Sequence, residues 1–338
     1  MTIAKAPFET EPFPLNLDNR PPAFATLASE PVFDPARHLA LEAPTQIETL
    51  GDFGYGAEEV AECPSDFAVT NVFRVLSEEG AACLYDVCKQ LEAFTTSNER
   101  IQRCMRGGAY RSKFLRDMCL SPDIAEFMSQ IAGVALMPHT IAHQLGHLNY
   151  APETVGTNVD KWHVDTLRYD YVMFVTDPQK NEGGAFQYFR GTKHEMAELR
   201  KTGQAIPADR VASPHMPGPG YAVLQQGNMV VHQAKGLTAP GERITMVNGY
   251  IAQDPSVPDF TRYDQLMLAD PADVVTTEYS RHVASQGRRM LQAGILDAGF
   301  SADRDAYADQ LSAVAQMLAE AAEEIRTTTA PQMEHFGD

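Results

Sequence analysis

His163 and Asp165 stand two residues apart in the segment 161–166 (KWHVDT). A strand sends alternate side chains to the same face, so this imidazole and this carboxylate converge on one ion. The third ligand must come from a neighbouring strand. His232 qualifies, 67 residues beyond Asp165 at the end of the apolar run 228–232 (NMVVH). Two histidines and one carboxylate occupy one face of an octahedral metal and leave three positions open. That arrangement suits iron(II) holding a chelating co-substrate together with oxygen. His-x-Asp alone is a weak signal, because a surface histidine hydrogen-bonded to a nearby aspartate is spelled the same way.

Arg243 strengthens it. It follows His232 by 11 residues, and Gly236, Pro240 and Gly241 between them let the chain turn back. Arg243 is then expected on the adjacent antiparallel strand, beside the metal. A buried guanidinium is a two-pronged clamp for a carboxylate, which the distal carboxylate of 2-oxoglutarate needs while its keto-acid end chelates iron. Thr245 shares the face of Arg243 and offers a second hydrogen bond. A salt-bridged surface arginine would be odd next to the apolar run 244–251 (ITMVNGYI).

These residues need strands to position them, and the middle of the chain supplies strand-like segments. Short runs rich in Thr, Val, Tyr and Phe lie between Gly and Pro turns: 67–75, 161–166, 169–176, 185–189, 221–225, 228–232 and 243–251. Many short strands with punctuating turns predict a sandwich or barrel. Helices flank them. Ser77 with Glu78 and Glu79 opens one running to about Phe94, Ser121-Pro122 opens a second ending at Gly133, and residues 303–326 form a long amphipathic helix. The expected organisation is an extended arm over 1–65, a β-rich catalytic domain over 66–260 and a helical extension over 261–338.

Residues 181–194 (NEGGAFQYFRGTKH) add a family likeness. Gly183-Gly184, the strand AFQYF and the turn Arg190-Gly191-Thr192-Lys193-His194 resemble the phytanoyl-CoA dioxygenase-like family of iron(II)/2-oxoglutarate oxygenases. That family carries a Pro-Gly-Ser-His-like turn between its second and third ligands. The resemblance covers residues 67–255. It implies a double-stranded β-helix, a jelly-roll variant, with the ligand pair on the second core strand, the distal histidine on the seventh and the arginine on the eighth. It implies oxidative decarboxylation of 2-oxoglutarate to succinate and carbon dioxide, with O2 as the other co-substrate and hydroxylation of a small molecule as the usual outcome. Some relatives desaturate or form rings instead. Related halogenases replace the carboxylate ligand with Gly or Ala to admit a halide, so Asp165 argues against halogenation.

In such enzymes the strand before His-x-Asp lines the active site. This makes Asn149 a candidate contact to 2-oxoglutarate and Gln144 a candidate contact to substrate, although a strand aims the two to opposite faces unless a bulge intervenes near Gly146. Arg168, just past the ligand pair, is a further substrate candidate. His139, His143 and His147 share one face if their segment is a strand. Residues 100–116 concentrate Arg100, Arg103, Arg106, Arg111, Lys113 and Arg116, either a solvated face or a patch drawing an anionic substrate. Arg111 is taken as its substrate candidate. Trp162 is read as core packing.

The 338 residues carry a formal net charge of −18, and 44% are hydrophobic. The acidic balance disfavours nucleic acid and anionic membrane partners, whose affinity rests on Lys and Arg. Five cysteines without CxxC spacing read as reduced thiols. The first residues lack the apolar core of a signal peptide, and a cytoplasmic enzyme is expected. A non-catalytic jelly-roll sensor, and a zinc or manganese isomerase or hydrolase, are the rival readings. The sequence leaves the oligomeric state open.

Overall fold

The computed structural model describes residue 8, residues 12–331 and residues 335–337. Its strands, in chain order, are β1 (Ile47–Thr49), β2 (Phe67–Thr70), β3 (Phe73–Arg74), β4 (Cys104–Met105), β5 (Leu136–Pro138), β6 (His147–Tyr150), β7 (Asp160–His163), β8 (Tyr169–Phe174), β9 (Phe186–Phe189), β10 (Val211–Ala212), β11 (Tyr221–Gln225), β12 (His232–Ala234) and β13 (Ile244–Ala252). They form two antiparallel sheets. The larger runs β1-β2-β11-β8-β13-β6-β4, with β3 on β11 and β5 on β13. The smaller runs β10-β9-β12-β7. This is the jelly-roll core, mainly β in architecture, with flanking helices.

Central strands β8 and β13 are buried along their whole length. Antiparallel strands usually wet one face, so full burial requires a layer on each side. The period of two assigns the layers. Tyr169, Tyr171, Met173, Ile244, Met246 and Tyr250 pack beneath helices 78–91 and 122–132. Val172, Phe174 and Val247 turn the other way, onto Phe186 and Tyr188 of the smaller sheet. Asp170, Thr245 and Arg243 keep phase with this second set, so they face the space between the sheets.

Helix 78–91 has Ser77 as its N-cap, its Oγ accepting from Gly80 N at 3.0 Å. Helix 122–132 begins with proline in its first turn and ends on Gly133 at φ 71°, a left-handed cap that glycine adopts without cost. The last long helix spans Arg304–Thr327. Within the segment read as an extended arm, Ile47–Thr49 pairs with β2 and residues 57–61 are helical.

Two expected strands differ. The segment 161–166 is strand only as far as His163, so Asp165 lies just past its end. The run 228–232 is a turn leading into β12, which starts rather than ends at His232. There Val230 N and Met229 N donate to Gln226 O, and buried Val230 and Val231 supply core from a loop. An apolar run of this length is spelled alike in a strand and in a buried turn.

Candidate metal centre and cavity

His163 and His232 sit directly opposite each other across the β7–β12 pair, on the face of the smaller sheet that looks inward. Asp165 is beyond the strand, but its backbone N–H donates to Gly227 O at 2.9 Å. This holds the carboxylate under both rings, with His163 Nε2 3.4 Å from one oxygen and His232 Nε2 3.3 Å from the other.

The tautomers fit a metal. His163 Nδ1 is 2.6 Å from Lys161 O, and His232 Nδ1 is 2.9 Å from Val230 O. A carbonyl only accepts, so in the neutral ring each Nδ1 carries the proton and each Nε2 keeps its lone pair. One donor atom from each residue lies within 4.8 Å of the others. Burial would raise the Asp165 carboxyl, but the two histidines hold it well below the usual carboxylate range. Burial works to lower His232, and the Asp165 charge overrides it to lift that imidazole to about 9. The pocket therefore favours a cation between these groups, a proton or a metal.

Among the described residues a second trio, His139, Asp259 and His282, lies equally close together. Its geometry differs. The two rings stack in parallel, 4.9 Å apart and 7° from coplanar in orientation, so their in-plane lone pairs do not meet at one point. His139 Nδ1 accepts from Ile141 N at 3.0 Å, which puts the proton of the neutral ring on Nε2, the atom facing Asp259. This trio is a buried polar contact rather than a metal centre.

A cavity of about 550 Å³ opens in front of the first trio. Arg243 lines it, only 2% exposed. Its Nε donates to Gly184 O at 2.7 Å and its Nη1 to Thr245 Oγ1 at 3.2 Å, while buried Nη2 has no partner. Burial brings its pKa down to about 10. Arg243 immediately precedes β13 and so belongs to the larger sheet, facing His232 across the cavity rather than from the adjacent strand as expected. Asn149 is the cross-strand partner of Thr245 and also lines the cavity, its buried Oδ1 without a partner.

The three spaced histidines share no face. Gly146, at φ 59°, breaks the segment between β5 and β6, and residues 142–144 form a helical turn. His139 bonds Thr261 (2.9 Å), His143 bonds Asp270 (2.8 Å), and only His147 reaches the cavity. The same break lets Gln144 line the cavity with Asn149.

Arg111 and Arg168 lie elsewhere. The Arg111 guanidinium is sandwiched 4.1 Å from the rings of Phe24 and Phe94. Arg168 donates to Pro258 O and covers Phe260. Neither is among the cavity-lining residues. From the basic segment, Arg100 and Arg106 do line it. Arg100 is bidentate on Asp160 at 2.8–3.0 Å. Arg106 has only a distant partner, Asp270 at 3.9 Å, and its buried Nε makes no bond.

Sequence reasoning passed over Asp170 and Gln225. Gln225 Nε2 donates to Asp170 Oδ1 at 3.0 Å and sits 3.2 Å from His232 Nε2. Burial, then the neighbouring Asp165 charge, push the Asp170 carboxyl well above its usual range. A signal was present, since an aspartate inside the otherwise apolar run YDYVMF needs a reason to be buried. Leu266, His335 and Phe336, which also line the cavity, gave no such signal.

No curated protein matches the chain in sequence. Among solved structures it is similar to SnoK, a non-haem α-ketoglutarate-dependent carbocyclase from nogalamycin biosynthesis (19% identity, 63% of this chain and 88% of that one, TM-score 0.41). It is also similar to iron-bound EctD from S. alaskensis (15%, 68% and 88%, 0.43) and to AviO1 from Streptomyces viridochromogenes (17%, 57% and 93%, 0.44). The sequence family described as Halogenase D matches residues 55–264. That span is well over half of the chain and contains His163, Asp165, His232 and Arg243, so the protein belongs to the halogenase D family, a phytanoyl-CoA dioxygenase-like family of iron(II)/2-oxoglutarate-dependent oxygenases.

Proposed function

We propose that this oxygenase hydroxylates a small molecule, with His163, Asp165 and His232 holding iron(II) and Arg243, Thr245 and Asn149 holding 2-oxoglutarate. The observation that carries the reading is the Arg243 guanidinium, buried without an acidic partner among the described residues on the same cavity as three convergent candidate metal donors. An unpaired buried charge is costly, and a carboxylate from a ligand offsets that cost. A sensor or an isomerase has no need of this clamp. When bound, iron(II) supplies the oxygen chemistry that couples decarboxylation of 2-oxoglutarate to oxidation of the substrate.

The chain's own residues do the positioning. The carbonyls of Lys161 and Val230 fix both imidazoles with Nε2 toward the ion. Thr245 orients the Arg243 fork toward the cavity. The apolar wall of Val172, Phe186 and Val247 excludes water from the space between clamp and metal. Gln144, His147 and Arg106 line the cavity as well and are assigned to the substrate. The weak pairing of Arg106 favours an anionic group on it.

Asp165 supports hydroxylation within a family whose name denotes halogenation, because it fills the position that a halide would take. The test is anaerobic addition of 2-oxoglutarate to the iron(II) protein, followed by a succinate-coupled substrate screen in chloride-containing buffer with mass analysis of products. A charge-transfer band and products heavier by one oxygen are expected. Chlorinated products would overturn hydroxylation, and loss of two hydrogens would favour desaturation or ring closure. Absence of both band and succinate would overturn the oxygenase assignment of the site.

A further inference from the structure

β7 is the outermost strand of the smaller sheet, and an outer strand presents unpaired N–H and C=O groups that recruit any extended segment. Here the segment is residues 335–337. Phe336 N donates to Trp162 O at 2.6 Å, and Trp162 N donates to Gly337 O at 3.1 Å, an antiparallel bridge on the strand that carries His163. Gly337 N turns back onto His335 Nδ1 at 3.0 Å. The Phe336 ring packs against an apolar cluster of Trp162, Phe189, Met196 and Val231, beside Val164. Both His335 and Phe336 line the cavity. They lie far outside residues 55–264, the span of the family match.

We propose that residues 335–337 form a detachable wall of the substrate cavity and that Phe336 is a specificity-determining residue. Among the described residues, two backbone hydrogen bonds and one aromatic side chain hold the segment, a small contact set compared with the buried strands behind it. Segments with so few contacts open locally without global unfolding. Docked, Phe336 and His335 give the cavity its side next to β7 and keep water from the metal ligands. Undocked, they leave β7 bare and that side open. Strand addition supplies the affinity and the side chains supply the selection. Docking is independent of the proposed reaction, whereas the role in turnover rests on that reading.

Trp162 is the only tryptophan of the chain and is 3% exposed, so its fluorescence reports docking directly. Three variants are compared with the full chain: Phe336→Ala, Phe336→Tyr and a chain lacking residues 335–338. In metal-free protein, acrylamide quenching of Trp162 should rise severalfold in the deletion and in Phe336→Ala and stay low in Phe336→Tyr. With iron(II), 2-oxoglutarate and a substrate found in the screen, the first two should raise substrate KM about tenfold, the scale of a lost apolar pocket contact. They should also release more succinate per product, with the 2-oxoglutarate requirement unchanged because Arg243 is untouched. Unchanged quenching in both would overturn docking. Raised quenching with unaltered substrate KM and coupling would overturn the wall. If the full chain yields no succinate with any substrate, the assigned reaction fails and takes the role in turnover with it, while the quenching result still decides docking.

Discussion

Asp165→Ala removes the one anionic member of the proposed ligand set and leaves two imidazoles to hold a dication. Iron content after anaerobic reconstitution should fall sharply and hydroxylation should vanish, and full activity in this variant would show the ligand set to be misassigned. Arg243→Ala deletes the proposed clamp, a loss of about 2–5 kcal/mol for a buried charged pairing, so the 2-oxoglutarate concentration at half-maximal succinate formation should climb steeply. An unmoved value would take Arg243 out of the site. The spelling His-x-Asp, a distal histidine and a following arginine singled out four residues that the fold brings to one cavity, because ligand and clamp chemistry admits few residue types. Arg111 and Arg168 were not legible in the same way. Their partners are aromatic rings and a carbonyl distant in the chain, and a cation's partner is decided by tertiary packing. Asp170 shows the converse, a polar residue whose oddness within an apolar strand is plain from its neighbours in the chain.

At the level of elements, the Gly183-Gly184 turn is the support on which Arg243 rests. Both glycines have positive φ, 79° and 74°, and Gly184 O accepts the Arg243 Nε–H. A Cβ at Gly184 would stand 2.8 Å from Leu237 Cδ2 and 3.0 Å from Arg243 Cδ. Gly184→Ala should therefore weaken 2-oxoglutarate binding while iron binding holds, as read by titrating the charge-transfer band against co-substrate. A loss confined to iron affinity would contradict this division of labour. The turn itself was visible as a Gly-Gly pair, whereas its contact with Arg243 was not. Strand boundaries were less legible. Asp165 falls just past the end of β7, and Val230 lies in a turn whose valines are buried in the core, an apolar spelling that a strand shares. The Gly146 break likewise separated three histidines that one continuous strand would have put on a single face.

For the molecule as a whole, acid stability depends on imidazoles shut away from water. His139 is buried and stacked on His282. Burial, then His282, lower its pKa to about 3 against an ordinary 6.5. The unfolded chain thus binds a proton that the folded chain refuses. This contribution to stability is complete above pH 6.5 and is lost as pH falls toward 3, with a slope of about 1.4 kcal/mol per pH unit for one proton. Urea denaturation at about pH 7 and pH 5 should show that decline, and His139→Gln should flatten it. An identical slope in the variant would mean that His139 is protonated in the native protein. The pairing of β7 with β12 extends this dependence on folding to the proposed iron ligands. His163 and His232 meet only when those strands are in register, since sliding either by one residue turns its imidazole to the opposite face of the sheet. Iron(II) held by the proposed ligand set consequently has no comparable partner in the unfolded chain, and each increment of free metal should deepen the native basin. Thermal midpoints recorded across a metal titration would therefore rank ligand variants by affinity without need of a substrate.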